Sequence, residues 1–274
     1  MARTSVFAFG APVLPRKSSA SGPRDIFVLG AYPSGLHVAW NPPPLDGLAV
    51  KPIRAMIVDN EPTPFWDGSD APDYFDAWRR AVDWQDELGA VTLAAASSNG
   101  PSGKWVADHI LSPLGAGPGE VCISDCLDES RLNEGQAARI SDTYALVAER
   151  LSLPACTLRP VPKGENALVQ EAVAGHLNRL RAEIRDCEPR LVVTLGNAAM
   201  RVASHVLELE HQAPRALSHE SYGSTIPAVF EERSVEWLPL VHPRSGERTP
   251  PWPEIHGRWE RSLHCPRRAE FDSV

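Results

Sequence analysis

Short apolar runs, each closed by a glycine, proline or polar residue, alternate along this chain with longer stretches whose apolar positions recur at helical spacing. Ile26-Phe27-Val28-Leu29, opened by Asp25 and closed by Gly30, suits one buried strand and is too short for a helix. The same criterion predicts strands over 53–58, 120–127, 190–195 and 235–241. A helix is predicted over 70–88, with an acidic cap at Asp70 and Pro72 in its first turn. Further helices are predicted over 104–111, 136–151, 167–187, 198–208 and 254–264. Residues 31–52 and 59–68 read as Pro/Gly loops, and 209–234 as an insertion or long connection.

Strands alternating with helices imply a mainly parallel sheet covered on both faces. The expected fold is α/β: three α/β/α layers around a central, mainly parallel four-stranded sheet. Residues 1–23 are expected to be an N-terminal arm, 24–265 a single domain and 266–274 a tail. In such sheets ligands bind at the carboxyl ends of the strands. Four predicted strands end in polar or turn-forming groups: Gly30-Ala31-Tyr32-Pro33-Ser34, Ser124-Asp125, Gly196-Asn197 and His242-Pro243-Arg244-Ser245. One sheet would bring all four to one edge.

Composition narrows the classes. With 274 residues, 43% hydrophobic and 23% charged, the chain suits one globular α/β domain. Its 26 prolines cluster in connections such as Asn41-Pro42-Pro43-Pro44 and predict stiff loops. No apolar run reaches the length of a membrane span, and no secretory signal is visible, so a cytoplasmic protein with no membrane partner is expected. Five irregularly spaced cysteines argue against a disulfide framework. Cys122 and Cys126 share a strand face at a separation unsuited to chelating one ion, so buried thiols are expected, with no metal and no cofactor. The net charge of −8 is unusual for a nucleic-acid binder. Between 244 and 268, however, six arginines outnumber three glutamates, and a basic face can act locally within a Debye length. A solvated arginine-rich surface is the other reading.

Three of the strand ends also carry a family likeness. Phe27-Val28-Leu29-Gly30-Ala31-Tyr32-Pro33-Ser34 resembles the strand and Gly-x-x-Pro of the first uracil-DNA glycosylase superfamily motif. Leu191-Val192-Val193-Thr194-Leu195-Gly196-Asn197 is similar to the family's strand and Leu-Gly-Asn turn, and Leu240-Val241-His242-Pro243-Arg244-Ser245 to its second, His-Pro-Ser-like motif. The resemblance implies a monofunctional DNA glycosylase. Such an enzyme flips a pyrimidine, uracil or a modified cytosine, out of single- or double-stranded DNA and hydrolyses its glycosidic bond, in repair or in defence against phage with modified DNA. A monomer is expected.

His242 is the expected catalytic donor: a neutral imidazole can stabilise negative charge growing on the departing base. Tyr32 stands where several family members carry the acid or amide that positions water, and a phenol is a poor base at neutral pH. Asp59 and Glu61 are candidate replacements, or members of a solvated turn. Phe65 and Trp66 are candidates for stacking on the base, or for a staple between loop and core. Gly30, Ala31 and Pro33 offer backbone to the base edge. Asp125, or Ser124 if the register slips by one, would read that edge; a carboxylate only accepts hydrogen bonds and so suits an exocyclic amine. Ser34, Asn197, Arg244, Ser245 and Arg248 are candidate DNA contacts, Asn197 reading first as a cap. Two alternatives stay open: a catalytically inactive nucleic-acid-binding module of the same fold, and a nucleotide-processing enzyme that never touches duplex DNA.

Overall fold

The computed structural model describes residues 22–264, apart from 157, 210–213 and 215. The expected arm, except its last two residues, and the tail lie outside the described residues, as does Cys265. The strands are β1 Ile26–Gly30, β2 Gly35–Asn41, β3 Ile53–Asn60, β4 Ala90–Leu93, β5 Cys122–Asp125, β6 Leu191–Leu195, β7 Ile226–Phe230 and β8 Arg233–Leu240. The helices are α1 Ala71–Ala81, α2 Pro101–Val106, α3 Glu134–Arg139, α4 Ala145–Leu151, α5 Glu165–Cys187, α6 Asn197–Val206, α7 Pro243–Arg248 and α8 Trp252–His264. Helix α2 runs on into a π-helical turn, Ala107–Leu111, and a second such turn, Ile140–Tyr144, joins α3 to α4.

The central sheet has the order β5-β1-β6-β8-β7. The first four strands are mutually parallel, and β7 lies antiparallel on β8. The strand side chains alternate between two apolar layers, as the pleat requires. Phe27, Leu29, Val192 and Trp237 meet Leu180 and Ile184 of α5 and Ala199, Val202 and Ala203 of α6. Ile26, Val28, Val193 and Leu238 meet Val106, Ile110 and Leu111 on the α2 side and Trp259 of α8. That is the three-layer arrangement expected from the sequence.

Several details differ from expectation. The central sheet has five strands, not four. Its extra strand, β7, lies in the stretch read as a plain connection and contains Pro227, which lacks a ladder donor and is tolerated because β7 is an edge. A second, three-stranded antiparallel sheet, β3-β2-β4, takes the predicted strand over 53–58. Strand β2 falls inside the stretch read as a loop; its Leu36, Val38 and Trp40 share a core with Met56, Val58, Trp78 and Val147. The helix predicted over 70–88 stops at Ala81, because Asp83 adopts a left-handed φ of 52° and Trp84 folds back to donate its indole N–H to the Gly89 carbonyl at 3.0 Å.

Candidate active site

Parallel pairing with Gly30 opposite Asp125 and Leu195 opposite Leu240 aligns the carboxyl ends of β5, β1, β6 and β8. A cavity of about 160 Å³ opens there, lined by Gly30 to Ser34, Glu61, Phe65, Ser102, Asp125, Leu195, His242 and Pro243. Water occupies about 30 Å³ per molecule in the liquid, so this space is on the scale of one small ring. A larger hollow of about 480 Å³ lies against α2 and α8 and takes in none of the strand-end residues. The smaller cavity is the candidate site, because it gathers the ends of four strands.

Gly30 forms the closest-packed part of the cavity. A Cβ there would overlap Asp125 Oδ1 and lie 2.8 Å from Phe65 Cζ, so only glycine lets the carboxylate and the ring both close over the strand end. Asp125 is 5% exposed and faces the cavity. Ser124 does not: its hydroxyl accepts from Arg179 Nη1 at 2.9 Å. The structure thus separates the two residues that the register left open. Arg179, on α5, also donates through Nη2 to the carbonyls of Asp125 at 2.7 Å and Cys126 at 3.1 Å. The loop after β1 is fastened from the other side, where the Ser34 carbonyl accepts from Ser130 Oγ at 2.5 Å and from the Glu61 amide at 3.4 Å.

His242 caps α7, and its Nδ1 accepts from the Arg244 amide at 3.2 Å. A nitrogen that accepts carries no proton, so the neutral ring holds its proton on Nε2. Crowding by the strand ends, and next the Arg244 charge, hold the imidazole below the usual histidine range. The ring keeps an open surface at the cavity mouth, so solvent softens that depression. Gly196, at φ 88°, lets β6 turn into α6 beside it; a Cβ there would sit 3.0 Å from His242 Cβ. Burial above all pushes the Tyr32 phenol up, with Arg244 opposing and Asp125 reinforcing, so Tyr32 is a neutral hydrogen-bonding group.

The remaining candidates separate. Glu61, 5% exposed, lines the cavity, whereas Asp59 does not. Asp59 accepts from the Asn60 amide at 2.8 Å and bonds Tyr74, while burial raises its pKa. Phe65 lines the cavity, but Trp66 packs into the core of the second sheet, 5.9 Å from the Tyr74 ring. Asn197 sits in the first turn of α6 and accepts from the Leu217 amide at 3.0 Å, tying down the following connection. Arg244 and Arg248 are exposed along α7, beside a shallow hollow that shares Ser102 and Pro243 with the cavity, and Ser245 lies on α7's other side, near Asn197. Ser102 and Arg179 carry no signal in the sequence, because both reach the site only through tertiary packing.

A cavity with several polar side chains at the carboxyl edge of a doubly covered, mainly parallel sheet defines an α/β protein with its candidate site at the strand ends. A family model, that of the uracil DNA glycosylase superfamily, matches residues 125–254. The matched domain runs from Asp125 through β6, β8, His242 and α7; it is consistent with the resemblance and takes in two of the three motifs, the first, at 27–34, lying before it. The domain supports a DNA glycosylase-type hydrolase in general and implies DNA as its partner. No curated protein matches the chain. Among the described residues no helix is long and apolar enough to cross a membrane.

Proposed function

We propose that this protein excises a pyrimidine base, of cytosine type, from DNA by hydrolysing its N-glycosidic bond. The observation that carries the reading is His242: an imidazole fixed with Nε2–H as its donor, at the mouth of a cavity sized for one ring. The target nucleotide turns out of the stack into the cavity. As the C–N bond breaks, its electron pair moves onto the base, and Nε2–H meets negative charge that exists only in the transition state. Water adds to the sugar carbon, and the proton it gives up is balanced by one taken by the base anion, leaving an abasic site and the neutral free base.

Glu61 is the carboxylate best placed to orient that water, since it lines the cavity and Asp59 does not. Phe65 stacks on the base. Tyr32, a neutral phenol, hydrogen-bonds or stacks, and the backbone of Gly30, Ala31 and Pro33 borders the base. Asp125 accepts from an exocyclic amine. Ser34, Arg244, Ser245 and Arg248 hold the DNA backbone, with Asn197 behind them. A preference for modified cytosine would fit defence against phage with modified DNA as well as repair.

The rival reading, a DNA-binding module without catalysis, draws on Tyr32 and on the net charge of −8. The test is a panel of single- and double-stranded oligonucleotides, each with one altered base, treated with hot alkali to cleave abasic sites. Strand cleavage is expected with at least one cytosine-type base. His242→Ala should then slow release by about 10²–10³-fold while leaving DNA affinity nearly unchanged. Binding without cleavage across the panel would favour the module.

A further inference from the structure

The strand that presents His242 is held from behind by a buried relay. The Val241 amide, one residue before the histidine, donates to the Tyr222 hydroxyl at 3.2 Å. That hydroxyl lies 2.5 Å from His256 Nδ1, and His256 Nε2 lies 2.9 Å from the His109 carbonyl. A carbonyl only accepts, so His256 Nε2 bears the proton and Nδ1 must accept from Tyr222. The direction of every bond is thereby set: Val241 N–H to Tyr222, Tyr222 O–H to His256, His256 N–H to His109.

Three features support this assignment. His256 is 3% exposed, and its ring is enclosed by Trp105 at 4.7 Å, Trp259 at 4.9 Å and Tyr222 at 5.9 Å. Burial keeps the Tyr222 phenol protonated and His256 neutral, the states the relay needs. Glu260 Oε1 stands 2.8 Å from His109 Nδ1 and 3.5 Å from His256 Nε2, anchoring the far end. The elements are disposed to match: α8, which carries His256, packs on α7, which begins just after His242. Gly223, at φ 80°, carries Trp259 against the turn beside Tyr222, where a Cβ would overlap the indole.

We propose that Tyr222 and His256 are positioning residues that hold Val241, and through it the His242 imidazole, in register with the cavity. The proposal rests on the glycosylase reading above. Neither residue lines the candidate cavity; both act through one backbone amide. Deleting the Tyr222 hydroxyl leaves that amide without its partner and frees the β8 end to shift, and small misplacements of a transition-state donor are costly.

The experiment uses the full chain and single-turnover base release from the best oligonucleotide of the panel. Tyr222→Phe should lower the rate by roughly tenfold with DNA affinity unchanged. In a His242→Ala background the same change should cost less than about twofold, because residues acting through one group are not additive. His256→Asn places an amide oxygen near the Nδ1 position and should retain more activity than His256→Ala. Full activity in Tyr222→Phe, or losses that multiply completely in the double variant, would overturn the proposal. Ring-nitrogen NMR supplies a second readout that needs no substrate. The His242 signals should move in Tyr222→Phe while the thermal midpoint stays within a few degrees. Should the wild type release no base at all, the glycosylase reading falls and these signals decide alone: a shift supports the relay, and unmoved signals overturn it.

Discussion

On the proposed reading, His242 offers the base a donor and Asp125 an acceptor. Uracil offers a carbonyl at C4 and cytosine an amine. A carboxylate facing a carbonyl is repelled by its lone pairs, whereas an amine gives it a charge-assisted hydrogen bond of about 1.5–3 kcal/mol. On the proposed reading, Asp125→Asn should move the preference from cytosine-type bases towards uracil, as measured by single-turnover release from oligonucleotides that differ only at the target. Strong uracil release by the wild type, unaltered in the variant, would remove the specificity argument and leave the glycosylase reading in place. Both residues were legible in the sequence because each sits where an apolar run stops. Asp59 and Glu61 were not separable there. They differ in whether the chain is still in β3, which ends at Asn60, and only the second sheet fixes that end. Tyr222 and His256 gave no signal, since their importance lies in bonds to residues far off in sequence.

Among the elements, β1 and β6 announced themselves, because strands covered on both faces read as continuous apolar runs, while β5 and β8 showed shorter apolar stretches, Val121-Cys122-Ile123 and Trp237-Leu238. The strands missed were those without that mark. Strand β2 alternates, with His37 pointing away from the core of its sheet, and donates that residue's amide to Asn99. Strand β4 buries only Val91, and β7 alternates on the sheet edge with Pro227 and Val229 exposed. The junction of α5 with β5 also had no sequence signature, yet Arg179 there bonds two carbonyls, Ser124 and, at 2.9 Å, Glu183. Arg179→Met keeps the apolar stem and deletes the charge, leaving the carbonyls of Asp125 and Cys126 short of a donor. A loss of about 2–3 kcal/mol is expected in urea unfolding, together with weaker discrimination between bases as Asp125 loosens. An unchanged unfolding midpoint would show that water replaces the guanidinium without cost.

At the scale of the molecule, two partly or fully buried histidines tie layers together in their neutral forms. His37 lies 2.8 Å from the Gly35 carbonyl through Nδ1 and 3.0 Å from the Gln136 amide through Nε2, joining β2 to α3. His256 serves the relay behind β8. Burial is the main cause holding both below the usual histidine range. The unfolded chain, with histidines near 6.5, therefore binds protons first as pH falls. Stability should be full above about pH 6.5 and decline as pH drops towards the lowered folded values. Asp59, whose pKa is raised by burial, acts in the opposite sense but in the lower carboxylate range. Urea midpoints measured between about pH 7.5 and 5 test this, and a flat profile would mean that both rings accept protons without disturbing their bonds.

The site's parts come from distant points of the chain: Gly30 is made early, and His242 arrives only after β8 has entered the sheet between β6 and β7. A nascent chain that has reached β6 already has three parallel strands and one apolar layer to hide. It lacks His242, and its β6 edge lies open to any passing strand. Chemistry and protection from aggregation thus arrive in the same event, the docking of β8. A truncated product ending before that strand would be both inert and adhesive, and a cell making this protein gains nothing from partial synthesis.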